Sequence, residues 1–355
     1  MRWSAVHKLV LFVRLLVLSQ IFVAVQIASA QIPRPATTPS VVYVAHNPVA
    51  IKSYKTNPAI VRAMVDRLVT AVTNQPDVAS AWSSLVSPKD KIGIKISAIG
   101  GEIFTTHRDI VNAIVDGLAA AGHRRDSVIV WDRSLGGAAE AGYKTEPYRL
   151  ISIAPRDGYD PQAVVSAPIL GKLVWGDYEY IGRRVVPLSD TENTSSVSHL
   201  ARVLTSEVTK VINVPVMSDS ETNGIAGCIY NMTIPNLDNW RRFTQNPRFG
   251  ASSLAEIYRE PVISNKVVLN IMDGLIAEYA GGPAAYPNFQ LHHATIYASR
   301  DPVAIDAVAL KKIDEWRQRA SLSPLAQRAV HVEAAAQIGL GNANLDRIEI
   351  RNVSP

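Results

Sequence analysis

The residues of this 355-residue chain best suited to chemistry stand where apolar runs end. Lys95 and Ser97 close the run from Ile92, Asp132 closes Val128–Trp131, Asn213 interrupts Val211–Val216 just before Asp219, and Asp273 follows Val267–Met272. If those runs are parallel strands, their polar tips share one edge of a sheet, because ligands of open α/β sheets bind beyond the carboxyl ends of the strands. Lys95 would then supply a point charge for an anion, and Asp132 and Asp273 would act as metal ligands or as a general acid/base pair. Gly281 and Gly282, which lie beyond the last of these strands, let backbone amides approach a ligand closely. His107 falls in the first turn of a helix, whose free amides favour anions. Asp273 and Glu278 are five positions apart with Gly274 between them, so on one loop they could share a hard divalent cation such as Mg or Ca. Each position also has a plainer reading, since Asp and Ser after a strand are ordinary turn formers and caps. Asp301, ahead of Pro302, reads as a cap. His292 and His293 open a strand and so point to opposite faces.

Strand and helix signals alternate along most of the chain. Strands are expected at 41–44, 91–97, 127–132, 210–216, 266–272, 292–298 and 347–353. Asn57-Pro58 starts a helix to about Val72, a second runs from about Thr106 to Ala121 and stops at Gly122, and Asp301-Pro302 starts a third through Arg317. Further helices are expected at 199–209, 224–232, 252–260 and 323–338. This pattern implies an α/β fold, a mainly parallel sheet with helices on both faces. Residues 143–198, rich in Pro, Gly and Asp, read as an irregular insertion with short strands.

Residues 1–30 carry Arg2, Lys8 and Arg14, then the apolar run Leu15–Val25, then Ala28-Ser29-Ala30, the layout of a cleaved secretory signal. The run is too short to span a bilayer, which takes about 20 apolar residues. The expectation is a periplasmic or secreted protein with no stable membrane span after cleavage, a linker at 31–40 and one domain from 41 to 355. Cleavage would remove three of the 36 basic residues and none of the 31 acidic ones, leaving 33 against 31. The scattered Arg pairs then form no concentrated basic face of the kind nucleic-acid binding needs. Cys228, the single cysteine, cannot form an internal disulfide, and an iron-sulfur cluster would need several more thiolates. Nucleophile-elbow, dinucleotide, P-loop and zinc-protease motifs are missing.

Several segments together resemble a bacterial and archaeal family known as domain of unknown function three-sixty-two. They are Ile92–Ile96, Thr106–Val111, Val128–Asp132, Val211–Pro215, Met272–Gly274 with Gly281-Gly282-Pro283, and Ala298–Ala307. The resemblance implies an α/β domain of unestablished activity, in some members fused to ferredoxin-like iron-sulfur modules, which this chain lacks. Asn231 keeps the position of a frequent family Asn. Met217–Ser220 departs from the family's tendency to place a Lys and a His after the Val-Pro strand. The functional expectation is an exported enzyme or binder acting on a small anionic or metal-associated ligand. Its rival is a non-catalytic extracytoplasmic binding or scaffold protein.

Overall fold

The computed structural model describes residues 38–144, 146–154, 157–166, 180–181, 184–185, 197–240, 243–244 and 250–353. The expected signal segment and most of the expected linker lie outside these residues. So does much of the 143–198 insertion.

Runs of Val and Ile fail as isolated helices and pack well when pleated and covered on both faces, and here they build one large sheet. Its strands are β1 (Ser40–His46), β4 (Ile92–Ile96), β5 (Ile129–Asp132), β6 (Arg149–Ser152), β11 (Lys210–Val214), β14 (Val267–Glu278), β15 (Gln290–Ser299) and β16 (Ile348–Asn352), in the spatial order β16-β1-β15-β14-β11-β4-β5-β6. Two short strands, β12 (Val216–Ser220) and β13 (Gly224–Ile225), extend it beside β14. The block from β14 to β6 is parallel, whereas β15 runs antiparallel to both β14 and β1. Small two-stranded ribbons complete the strands, namely β2 (Ile51–Lys52) with β3 (Lys55–Thr56), β7 (Tyr159–Ser166) with β10 (Val197–Ala201), and β8 (Tyr180–Ile181) with β9 (Arg184–Val185).

Alternation divides the sheet's side chains between two cores. Ile94, Ile96, Ile212, Val214, Leu269 and Ile271 face helices α1 (Pro58–Thr73), α2 (Val78–Leu85) and α4 (Arg108–Ala120). Val211, Met272 and Trp131 face the opposite layer, formed by α6 (Cys228–Thr233), α7 (Gly250–Arg259), α9 (Pro302–Arg319) and α10 (Val330–Gln337). Three shorter helices, α3 (Gly101–Phe104), α5 (Gly136–Glu140) and α8 (Pro261–Ser264), lie in connections. Helix starts follow their caps: Asn57 accepts the Ile60 amide ahead of Pro58, and Asp301 accepts the Ala304 amide ahead of Pro302. No helix among the described residues is long and apolar enough to cross a membrane.

Four expected elements differ. Residues 199–209 form the end of β10 and a five-residue π-turn rather than a helix, because Val197–Ala201 pairs with β7. The expected helix at 224–232 begins only at Cys228, since Gly224 and Ile225 pair with β12. The helix from 323 shortens to Val330–Gln337. Most consequentially, the strand expected to end at Met272 continues through Asp273 to Glu278, paired all along with β15.

Candidate functional site

Lys95, Asn213 and Asn270 occupy one level of the sheet, because Asn213 is in register with Lys95 on one side and with Asn270 on the other. All three side chains are completely buried, and so each must satisfy its polar atoms locally. They do so through a chain of contacts. Lys95 Nζ donates to Asp132 Oδ1 at 2.7 Å, to the Ile96 carbonyl at 2.6 Å and to Asn231 Oδ1 at 3.1 Å. Asn231, on α6, donates to Asn213 Oδ1 at 2.8 Å, and Asn213 donates to Asn270 Oδ1 and the Cys228 carbonyl at 2.9 Å. Burial lowers the Lys95 pKa, and the Asp132 carboxylate beside it works the other way. An ammonium has three donors, and here all three are committed. Lys95 therefore does not offer the free point charge expected of it; it holds Asp132 in place.

Asp132 also receives the Ala98 amide on Oδ2 and the Arg133 amide on Oδ1, each at 2.7 Å. The fixed carboxylate forms part of the wall of a cavity of about 260 Å³ at the carboxyl ends of β4 and β5. Ser97, Ser218, Asn231 and the ring of Tyr230 share that wall, with Val216, Ile234, Pro235, Trp240 and Pro283 as its apolar part. Ile99, 61% exposed, also lines it. Arg133 contributes the remaining charge. It donates to the Ile234 carbonyl at 2.5 Å and to that of Leu237, and lies over the Trp240 ring with 5.0 Å to the centroid. Burial lowers its pKa, yet a guanidinium remains cationic in proteins. With Asp132 paired to Lys95 beneath the wall, Arg133 is the cation that lines the cavity.

Asp273 does not join this group. Its position in β14 has the parity of Leu269 and Ile271, so it projects toward the α1/α4 layer, away from Lys95. There Asp273 Oδ2 accepts both the His107 amide and His107 Nδ1 at 2.7 Å, and Oδ1 accepts the Leu275 amide at 3.1 Å. Burial opposes protonation of His107, but the adjoining Asp273 carboxylate, with Asp109 acting in the same direction, outweighs it and raises the imidazole pKa. The geometry is that of an oriented imidazole, with Nδ1 fixed by a carboxylate. The acid/base pairing expected between Asp132 and Asp273 is thus replaced by two separate pairs, Lys95–Asp132 and His107–Asp273.

Asp273 and Glu278 are likewise apart. β14 runs through both, with an irregularity against β15 between Gly274 and Ile276 and another against β12, where Asp273 pairs with Val216 and Glu278 with Ser218. Instead of sharing a loop and a cation, Glu278 accepts the Tyr286 amide at 2.6 Å and Gln290 Nε2 at 2.8 Å, and is fully buried. Asp219, also fully buried, accepts the Gly282 amide at 3.1 Å on both oxygens and has Arg317 3.9 Å away. Gly282 is required there, because a Cβ would fall 2.2 Å from the Asp219 carbonyl oxygen. Gly281 has a φ of +89° and faces the Tyr286 ring, the conformation glycine adopts without strain. Burial raises the Asp219 carboxyl to about 6 and the Glu278 carboxyl to about 7.

Of the expected site residues, Ser97, Asp132 and Asn231 meet at the cavity, while Lys95 and Asn213 lie beneath it. His107 and Asp273 form their own pair, and Asp219, Gly281, Gly282 and Glu278 gather around the loop before β15. Sequence reasoning missed Asn270, Tyr230, Trp240 and Gln290. Asn270 had a legible signal, a lone amide in the apolar run Val267–Met272, equivalent to Asn213 in its own run. Tyr230 and Trp240 had none, since nothing local shows that their segment folds over the strand ends.

None of the curated proteins compared with the chain matches it. Among solved structures, it is similar to the crystal structure of a Thermotoga maritima protein, with 9% identity over 77% of this chain and a TM-score of 0.40; the match spans 61% of that protein's chain. The family model described as "Domain of unknown function (DUF362)" matches residues 92–311, a span that includes Lys95, Asp132, Asn231, Asp273 and Glu278. The chain belongs to that family.

Proposed function

We propose that this protein binds a small organic anion in the cavity at the carboxyl ends of β4 and β5, with the Arg133 guanidinium as counter-charge and Trp240, Ile234 and Pro235 receiving the ligand's apolar body. The observation that carries the reading is the charge balance of that wall. Lys95 and Asp132 cancel, and Arg133 is left over in a mostly apolar, partly enclosed space of about 260 Å³. That mixture, apolar walls with few convergent polar groups, is the usual composition of small-ligand sites, and the volume suits a metabolite of on the order of ten heavy atoms. Ser97 adds a hydrogen-bonding group that would orient it. The signal-like layout of residues 1–30 supports a further part of the proposal, that the protein works outside the cytoplasm. N-terminal sequencing of exported protein would begin at Gln31 if so, and a retained Met1 would count against it.

Benzoate and its neutral isostere benzamide test the binding reading directly. Benzoate at 100 times its Kd adds about 2.7 kcal/mol of stability, so a thermal-shift titration should respond to benzoate and not to benzamide. Arg133→Met should abolish the response and Arg133→Lys should retain part of it. Equal shifts with both compounds, or an undiminished benzoate shift in Arg133→Met, would remove the basis for the proposal.

A further inference from the structure

Two buried oxygens near this cavity have no hydrogen-bond partner, Glu278 Oε1 and Gln290 Oε1. They belong to side chains that already share a hydrogen bond, Gln290 Nε2 donating to Glu278 Oε2 at 2.8 Å, and their residues are directly opposite in the β14–β15 ladder. A buried acceptor left without a donor is costly. One proton removes both deficits. If Glu278 is a carboxylic acid, its Oε1–H donates to Gln290 Oε1, and the acid and the amide close a cyclic pair of hydrogen bonds.

We propose that Glu278 and Gln290 form a proton-binding site that latches the 281–286 loop, and that proton release loosens the wall this loop gives the ligand cavity. The second half rests on the ligand reading given above; the first does not. The loop is held at both ends by buried carboxylates, Gly282 N on Asp219 and Tyr286 N on Glu278, and Pro283 between them lines the cavity. The groups facing Glu278 pull both ways, burial and Asp219 favouring its neutral form and the Tyr286 and Gln290 donors its charged form. Asp219 on β12 is a like charge that raises its pKa. Tyr286 from the loop and Gln290 from β15 offer one donor each. On α9, the cation Arg317 is engaged with Glu221 at 2.9 Å and the Tyr279 carbonyl at 2.8 Å. Burial, the largest influence, brings the Glu278 carboxyl to about 7, within the range where a modest pH change empties the site. On deprotonation, a buried charge faces the Gln290 carbonyl oxygen, and admitting water to Oε1 requires the 281–286 segment to move outward.

Infrared difference spectroscopy between pH 6 and pH 8 reads the proton itself. The full chain should show a carboxylic-acid carbonyl stretch at pH 6 that disappears by pH 8. Asp306 and Asp219 are raised into the same range and contribute to the same band, so the Glu278 component is the part that Glu278→Gln, which can form the same ring as an amide pair and should fold, removes and that Asp219→Asn keeps. A missing band, or one undiminished in Glu278→Gln, overturns the proton site. Acrylamide quenching assigned to Trp240 by subtracting Trp240→Phe should rise with the same midpoint and stay flat in Glu278→Gln. Quenching that ignores the titration overturns the coupling. Benzoate affinity should fall about three- to tenfold from pH 6 to pH 8 in the wild type and stay constant in Glu278→Gln. If benzoate binds neither protein while the band and the quenching respond, the ligand reading fails and the proton site stands.

Discussion

Lys95 and Asp132 form an ion pair in a dry setting, the lysine 0% and the aspartate 6% exposed. Removing one partner of such a pair strands the other, which typically costs 3–5 kcal/mol, whereas replacing both can be nearly neutral. Lys95→Met should therefore lower stability by about 3–5 kcal/mol in urea unfolding, and the double variant Lys95→Met/Asp132→Leu should recover most of that loss. Additive losses would show that the two side chains act independently. The second pair makes a different prediction. Asp273 raises the His107 pKa against the effect of burial, so the contribution of this contact is complete below about 6.5 and fades as pH rises through the higher folded value. In Asp273→Asn the imidazole pKa should fall, because only Asp109 is then left to oppose burial. NMR titration of the ring protons decides it, and an unchanged midpoint would disconnect the two residues.

Among the elements, legibility followed how local the cause was. The parallel strands around Lys95, Asp132 and Asn213 were readable because continuous Val/Ile runs have no other stable use, and α1 and α9 because Asn57-Pro58 and Asp301-Pro302 are local cap signals. Residues 199–209 were not, because Val197–Ala201 is drawn into pairing with a strand more than thirty residues earlier in the chain. β14 illustrates the cost of a boundary error. Ending it at Met272 put Asp273 and Glu278 on an imagined loop with a shared cation; continuing it separates them and fixes the face to which each points. Similarly, Asp301 was recognised as a cap, but its wider role was invisible locally. Its carboxylate also takes the Asn342 amide at 2.9 Å and the Ser40 hydroxyl, tying β1, α9 and the 341–342 turn together. An ordinary cap replaced by Ala costs about 1 kcal/mol. Asp301→Ala should cost roughly two to three times that, clearly more than Asn57→Ala, whose cap bond is 3.4 Å long and exposed. Equal losses in thermal unfolding would mean that the extra contacts contribute nothing.

Across the whole molecule, buried titratable groups pull stability in opposite directions with pH. Glu278 and Asp306 are raised to about 7 and Asp219 to about 6, chiefly by burial. Each binds a proton in the fold that the unfolded chain has already released, so its contribution is full below its unfolded pKa and is lost as pH rises through the folded value. His293 and His331, lowered to about 4 by burial, do the reverse. Between about pH 5 and 6.5 they are neutral in the fold and charged in the unfolded chain, and stability rises with pH. His331 isolates this effect, being fully buried with both ring nitrogens unpartnered. At pH 5 its neutral state costs about 2 kcal/mol, from 1.36 kcal/mol per pKa unit, and at pH 8 nothing. His331→Leu should thus stabilise the protein more at pH 5 than at pH 8, whereas Glu278→Gln should do so more at pH 8, where the wild-type carboxyl must ionise in a buried setting. Calorimetric midpoints of the two variants, plotted against pH relative to the wild type, should cross. Parallel curves would mean that neither group titrates inside the fold as its burial requires.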